Sequence, residues 1–277
     1  MNFTVQCGET LGIIGESGSG KSITCKALIG LNAQRLSVSG DIFFEHQNLN
    51  TITEKQLRKI RGKDIAMIMQ QGTRAFDPST KVGKQMIETL RAHTTLSKQQ
   101  IKQELIHYMT YMKLKDPRSL LKAYPYMLSG GMLQRMMIAL ALALKPKLII
   151  ADEPTTALDT ITQYEVINAF KDIKHHFDCA MIFISHDLTV INKIADRVVV
   201  MKEGRVIEEG RTNMVLQQPR HHYTAYLLST KKTIYDYFQI VLRAESVSYT
   251  HLRANETEDD LVCRLLLEKN KGGGGGG

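Results

Sequence analysis

The residues best suited to chemistry lie near the start of the chain, where eight positions fit the pattern G-x-x-x-x-G-K-[ST]. This pattern is typical of loops that bind phosphate groups, because glycines let backbone N–H groups converge on an anion at a helix N-terminus. The loop lies between an apolar stretch, Leu11–Ile14, and a predicted helix that runs to about Leu31. The predicted phosphate-binding residues are Gly15, Glu16, Ser17, Gly18, Ser19, Gly20, Lys21 and Ser22.

Two side chains of this loop and two acidic residues later in the chain predict ATP and Mg²⁺ as the cofactors. Lys21 can reach the β- and γ-phosphates, and the Ser22 hydroxyl can bind Mg²⁺. Asp152 and Glu153 follow the apolar stretch Leu148–Ala151, at the sheet edge where ligands bind in α/β proteins. We predict that Asp152 holds the Mg²⁺ shell, usually through water, and that Glu153 is the general base that orients and deprotonates the attacking water. Taken alone, the acidic pair would equally fit a solvated strand end.

A second candidate anion site lies before a strongly apolar helix that ends near Lys145. Ser129 is a good N-cap residue, and Gly130 and Gly131 leave their amides bare, so the three could bind a γ-phosphate. The alternative is an ordinary capped core helix whose methionines simply pack. Because the same chain also carries a predicted phosphate loop, we favour the anion site.

The apolar stretches predict an α/β fold with a mainly parallel sheet. Short aliphatic and β-branched runs alternate with helical patterns, as buried parallel strands do. The predicted strands are Leu11–Ile14, Ile65–Met69, Leu148–Ala151, Ala180–Ile184 and Val198–Met201. Strand patterns are missing between Thr80 and Ala143, where Ile101–Met112 has helical periodicity. The sequence therefore predicts a helical subdomain inserted into the α/β core.

Taken together, the motifs of residues 1 to about 245 resemble an ATP-binding cassette (ABC) ATPase of the oligopeptide, dipeptide and nickel importer family. Gln70 matches the Q-loop glutamine, which in that family contacts Mg²⁺ and relays between nucleotide and permease. Ser129–Gly131 matches the ABC signature, and Asp159 matches the D-loop. His186 matches the switch histidine that contacts the γ-phosphate and the attacking water, although a lone histidine is more often a structural residue.

The resemblance implies a mechanism and a set of partners. In that family two cassettes pair head to tail, so that the signature of one covers the phosphate loop of the other. ATP binding closes the pair and hydrolysis releases it, which drives a permease. The implied partners are two transmembrane permease subunits, a second homologous ATPase subunit and an extracellular or periplasmic solute-binding protein. The implied location is the cytoplasmic face of the cell membrane, with no nucleic acid partner.

Five segments are predicted. The P-loop NTPase core is expected in two parts, residues 1–79 and 146–228, on either side of a helical signature subdomain at 80–145. A C-terminal extension follows at 229–245. Residues 246–277 resemble translated sequencing-adapter read-through, with a native tail and flexible linker as the alternative.

Composition excludes several other classes of protein. The net charge is +8, but the basic residues are scattered among acidic ones and do not favour a nucleic-acid surface. No run of about 18 apolar residues and no signal peptide is present, so we expect neither a membrane span nor export. The four cysteines are widely spaced without a C-x-x-C pair, which argues against a zinc site or a disulfide framework.

The transported solute is predicted from family likeness alone. Residues Gln70–Pro78 resemble the nickel and metallophore branch more than the peptide branch, and the likeness is closest to staphylococcal metal-metallophore importers. We predict nickel, cobalt or another metal–metallophore complex, with an oligopeptide or dipeptide as the alternative. A non-transport ABC ATPase is disfavoured, since neither sustained heptads nor a second phosphate loop occurs.

The chain also departs from the family pattern. We expect it to be truncated at the N-terminus, because family members carry an earlier segment with strands and an aromatic residue that stacks on adenine. Phe3 does not replace that residue, and an inactive fragment stays an alternative. Pro219–Leu228 resembles a tail motif of the peptide and nickel importers, but His222 stands where proline is usual.

Overall fold

The computed structural model describes residues 1–32, 36–70, 72–156, 158–177 and 179–230 of the 277-residue chain. One compact unit spans Met1–Leu228. The second unit, Ser229–Gly277, is described at residues 229 and 230, which are helical. Apart from those two positions, the predicted segments 229–245 and 246–277 lie outside the described residues. In the part of the chain that is described, no helix is long and apolar enough to cross a bilayer.

Strands of the compact unit form a central sheet and a small hairpin. The strands are β1 (Thr10–Ile14), β2 (Phe43–Phe44), β3 (Gln47–Asn48), β4 (Ile65–Ile68), β5 (Leu148–Asp152), β6 (Ala180–Ile184), β7 (Arg197–Lys202) and β8 (Arg205–Arg211). The central sheet has the order β4-β5-β6-β1-β7-β8, and β2 pairs with β3 apart from it. Neighbours from β4 to β7 are parallel, whereas β8 is antiparallel to β7. The predicted α/β class with a mainly parallel sheet is confirmed.

Burial on both faces explains why five strands could be predicted. Val198 and Val200 of β7 belong to one apolar cluster, and Val199 and Met201 belong to the other. Strands covered on both sides are continuous apolar runs, which the sequence displays directly. The edge strand β8 was not predicted, because its sequence is polar and its residues are half-buried or exposed.

Helices cover both faces of the sheet. They are α1 (Lys21–Leu28), α2 (Glu54–Ile60), α3 (Val82–His93), α4 (Lys98–Tyr111), α5 (Pro117–Leu120), α6 (Gly130–Ala143), α7 (Thr160–Phe177), α8 (Leu188–Ile194) and α9 (Thr212–Gln217). Two short 3₁₀ helices occur at Gly72–Ala75 and Pro125–Met127. A further helical stretch begins at residue 222.

Helix α1 is shorter than predicted. It ends at Leu28 instead of near Leu31, because Gly30 has a φ of 62° and stops the helix. The Leu31 amide donates to the Lys26 carbonyl and the Gly30 amide to the Ala27 carbonyl, which is the Schellman pattern of helix ends. The phosphate loop therefore opens onto a helix of about two turns.

Residues 80–145, all of which are described, contain helices and no strand. The apolar face of α4 buries Ile101, Leu105 and Met109, whose spacing of four residues puts them on one side of the helix. Helix α6 is apolar on nearly all sides and is buried accordingly. This helical region carries Ser129 and the two glycines that follow it.

Candidate nucleotide-binding site

The phosphate loop joins β1 to α1 in a backbone shape that needs glycine. Gly20 is the N-cap of α1 with a φ of 99°, a left-handed conformation that other residues rarely adopt. A Cβ atom on Gly15 would lie 2.3 Å from the Met201 carbonyl oxygen in β7. No side chain caps α1, so its first amide groups remain for an anion.

Lys21 lies folded back into the loop. Its side chain is buried, and its ammonium donates hydrogen bonds to the Gly15 carbonyl at 2.9 Å and the Glu16 carbonyl at 2.7 Å. A third hydrogen bond reaches the Ser19 hydroxyl at 3.3 Å. The ammonium thus lies against the loop that would surround a phosphate, held by two of its carbonyls and one hydroxyl.

A hydrogen bond joins the phosphate loop to the acidic pair. The Ser22 hydroxyl donates to Asp152 Oδ1 at 2.8 Å, although the two residues are 130 positions apart. Burial raises the pKa of Asp152, and the negative charge of the neighbouring Glu153 carboxylate raises it further. The hydrogen bond from Ser22 lowers the pKa but does not cancel these effects. Two adjacent hard oxygen donors fit the ligand preference of Mg²⁺.

Three polar side chains converge on one oxygen of Glu153. Its Oε2 accepts a hydrogen bond from Gln70 Nε2 at 2.9 Å and another from the Thr156 hydroxyl at 3.1 Å. His186 Nδ1 lies 3.4 Å from the same oxygen. The structure therefore brings together Gln70, Glu153 and His186, the three residues predicted to be catalytic.

The backbone at Glu153 is strained. Its φ is 47°, in the left-handed region that costs a non-glycine residue on the order of 1–3 kcal/mol. The Glu153 amide donates to the Ile184 carbonyl at the end of β6, which holds the carboxylate at the sheet edge. Strain of this kind is found at active sites when the surrounding structure enforces it.

The loop that carries His186 is fixed by Asp187. Asp187 Oδ1 accepts hydrogen bonds from the Thr189 and Val190 amides and so caps α8. Its other oxygen, Oδ2, accepts from Gln163 of α7 at 3.2 Å. The side chain of His186 stays about half exposed, facing the Glu153 carboxylate.

Ser129 and Asp159 act as helix caps. The Ser129 hydroxyl accepts from the Met132 amide at the start of α6, and Asp159 Oδ1 accepts from the Thr162 amide at the start of α7. The latter hydrogen bond lowers the pKa of Asp159. Neither hydrogen bond reaches the phosphate loop, so the structure does not join these predicted ligands to Gly15–Ser22.

The signature glycines lie beside the segments that follow Gln70 and Glu153. A Cβ atom on Gly130 would lie 3.9 Å from Thr73, and one on Gly131 would lie 3.3 Å from Leu158. Gln134 of α6 donates to the Met69 carbonyl at 3.1 Å, which ties the helix to the residue before Gln70. Through this hydrogen bond, a movement of α6 would displace the backbone next to Gln70.

Comparison with known proteins decides the family. The family model described as ABC transporter matches residues 1–156, more than half of the chain. The chain belongs to the ABC transporter family. It is an ATP-binding cassette of the kind that hydrolyses ATP in transporters, and the predicted family is confirmed.

Individual relatives are similar over most of the cassette. This chain is 70% identical over 245 residues to "Metal-staphylopine import system ATP-binding protein CntD" of Staphylococcus aureus strain NCTC 8325. The match covers 88% of this chain and 90% of the relative. It is 42% identical over 236 residues to "Oligopeptide transport ATP-binding protein OppD" of Bacillus subtilis strain 168, covering 84% of this chain and 66% of that one.

A solved structure has the same fold as the cassette. "Dimeric structure of a post-hydrolysis state of the ATP-binding cassette MJ0796 bound to ADP and Pi" superposes with a TM-score of 0.69 at 26% identity. The match covers 76% of this chain and 88% of that chain. The predicted roles of single residues and the predicted domain boundaries stay predictions.

Sequence reasoning missed Thr156 as a member of the site. This residue lies three positions before Asp159, the residue matched to the D-loop, and its hydroxyl donates to the carboxylate of Glu153 three positions earlier. The signal was present, because a hydroxyl residue in the turn after a strand-end acid can fold back on it. In this cassette the D-loop and Glu153 are therefore linked by a hydrogen bond.

Replacement of Asp152 by asparagine is expected to stabilise the nucleotide-free cassette while impairing its site. Because burial raises the pKa of Asp152, the ionised carboxylate opposes folding at neutral pH, and Asp152→Asn removes that charge. The melting temperature should rise, whereas the additional stabilisation by Mg²⁺ in the presence of ATP should be lost. Calorimetry with and without Mg-ATP measures both. The exposed Asp41→Asn change is the control, and a fall in the nucleotide-free melting temperature would contradict the expectation.

Proposed function

We propose that this chain is the ATP-hydrolysing subunit of an importer for metal–metallophore complexes. The observation that carries the ATPase assignment is the convergence of Gln70 and His186 on Glu153 Oε2, beside the hydrogen-bonded Ser22 and Asp152. The proposed cargo is supported by likeness. Relatives named as metal-staphylopine import proteins are 70% and 69% identical, whereas the oligopeptide relatives are 42% identical.

The phosphate loop would bind the nucleotide and neutralise its charge. Amides at the start of α1 would donate to the phosphates, while Lys21 would exchange the loop carbonyls for the β- and γ-phosphate oxygens. Ser22 and Asp152 would hold Mg²⁺, which neutralises charge as it develops on the phosphates. The oxygen donors already lie 2.8 Å apart, so little rearrangement is required.

Glu153 would orient the attacking water and accept its proton. Its carboxylate is less exposed than His186, and Gln70 and Thr156 hold one of its oxygens in place. The His186 ring could then contact the water and the γ-phosphate. A base positioned in this way accelerates a reaction by about 10²–10⁴-fold.

A second cassette would complete each site. Ser129 caps α6, and Gly130 and Gly131 are the first two residues of that helix. We propose that the three cover the phosphate loop of the partner ATPase. Two permease subunits would dock at the cytoplasmic face of the membrane near Gln70 and receive the motion of α6 through Gln134. A solute-binding protein on the outer side would deliver the cargo.

The change Glu153→Gln is expected to stop hydrolysis and leave ATP binding intact. Glutamine keeps the size and the hydrogen-bond acceptor of the side chain but cannot take the proton from water, so turnover should fall at least about 100-fold. Phosphate release and binding of a fluorescent ATP analogue measure the two properties in the assembled transporter. Glu88→Gln on the exposed face of α3 is the control. Hydrolysis at the wild-type rate would overturn the general-base assignment.

Cells that make the complete transporter are expected to accumulate radioactive nickel or cobalt supplied with a metallophore. Uptake should disappear when the ATPase carries Glu153→Gln. A labelled oligopeptide offered to the same cells should stay outside. Accumulation of the peptide alone would identify the oligopeptide alternative. Absence of any uptake that depends on this chain would contradict the importer assignment.

A further inference from the structure

The motif Pro219–Leu228 has no part in the chemistry described above, yet one of its side chains ends on the phosphate loop. Tyr223 is only 4% exposed, and its hydroxyl accepts a hydrogen bond from the Glu16 amide at 3.3 Å. The two residues are 207 positions apart. We infer that Tyr223 is a positioning residue that keeps the phosphate loop in the shape that binds nucleotide.

Tyr223 is held from several sides. The ammonium of Lys202 lies 4.9 Å from the centre of its ring, a cation–π contact with the end of β7. The Tyr223 amide donates to His221 Nδ1 at 3.1 Å, so His221 caps the helical stretch that begins at residue 222. The ring is therefore fixed before nucleotide arrives.

The turn before this helix is anchored to β8. The Glu208 carboxylate accepts from the Arg220 amide at 2.8 Å and from the His221 amide at 3.1 Å. Burial alone would raise the pKa of Glu208, but the hydrogen bonds from these two amides act against it, and the pKa is lowered overall. His222 is the first residue of this helix, a position where proline is also tolerated. The histidine found here in place of the family's usual proline is therefore compatible with these contacts.

The phosphate loop is held by hydrogen bonds near both of its ends. Near its end, the Ser19 carbonyl accepts from the Gly204 amide, which belongs to the turn between β7 and β8. Near its beginning, the Glu16 amide donates to the Tyr223 hydroxyl. Within the loop, the Ser19 amide also donates to the Glu16 carbonyl at 3.2 Å, which links the two anchored residues to each other.

The carbonyl of Glu16, unlike its amide, binds the Lys21 side chain. The carbonyl accepts from the Lys21 ammonium at 2.7 Å, and that hydrogen bond must break when Lys21 turns to a phosphate. Tyr223 would keep the Glu16 peptide in place during this exchange. Burial raises the pKa of Tyr223, and the Glu16 and Glu203 carboxylates act in the same direction, so the hydroxyl stays neutral.

The test compares Tyr223→Phe with Tyr111→Phe in the full-length chain. Both changes remove a hydroxyl, but the Tyr111 hydroxyl, at the end of α4, donates to the Ala169 carbonyl of α7 and not to the phosphate loop. Tyr223→Phe should weaken binding of a fluorescent ATP analogue about 3- to 10-fold, the usual effect of one lost hydrogen bond. In the assembled transporter KM for ATP should rise by the same factor, with kcat within twofold of wild type. Tyr111→Phe should leave Kd and KM unchanged, even if its melting temperature falls.

Each other outcome overturns the inference. An unchanged Kd for Tyr223→Phe, or a lower kcat at unchanged KM, would show that Tyr223 does not position the loop. An equal loss of affinity in both variants would reveal general destabilisation instead. The inference rests on ATP binding at this loop, so failure of the wild-type chain to bind the analogue would overturn the nucleotide assignment as well.

Discussion

The hydrogen bond from the Ser22 hydroxyl to the Asp152 carboxylate is the contact on which the rest of the site depends. It joins the loop after β1 to the end of β5, two strands that are separated in the sheet by β6. Parallel strands bring their carboxyl ends to one edge, so the phosphate loop, the acidic pair and His186 meet there without a long detour of the chain. The helical covers on both faces keep that edge rigid.

Three features at this edge of the sheet lower the stability of the fold. Asp152 is buried with a raised pKa, Glu153 has a left-handed backbone, and the Lys21 ammonium is withdrawn from solvent. Each would be costly on its own, but each has partners: a hydroxyl, a strand carbonyl and the carbonyls of the loop. The hydroxyl and the loop carbonyls could be exchanged for metal and phosphate, whereas the strand carbonyl holds the Glu153 backbone in place.

Much of the fold and site could be predicted, because the signals are local. Continuous apolar runs marked the five buried strands, and a glycine-rich loop between strand and helix marked the phosphate site. The polar edge strand β8 gave no such signal, since its place depends on pairing with β7. Tyr223 was missed for a related reason, because its tertiary contact with Glu16 is not visible in spacing. The contact of Thr156 with Glu153 is local, and its signal was present in the sequence but was not used.

The most direct test of the central claim is to locate the γ-phosphate position by photocleavage. Vanadate can take that position after hydrolysis, and ultraviolet light then cuts the backbone beside it, at sites that mass spectrometry of the trapped transporter can identify. We predict cuts within Gly15–Ser22 of this chain and at the signature of the ATPase subunit facing it, the segment that corresponds to Ser129–Gly131. Failure to trap vanadate, or cuts confined to segments away from both motifs, would contradict a shared ATP site built on this loop.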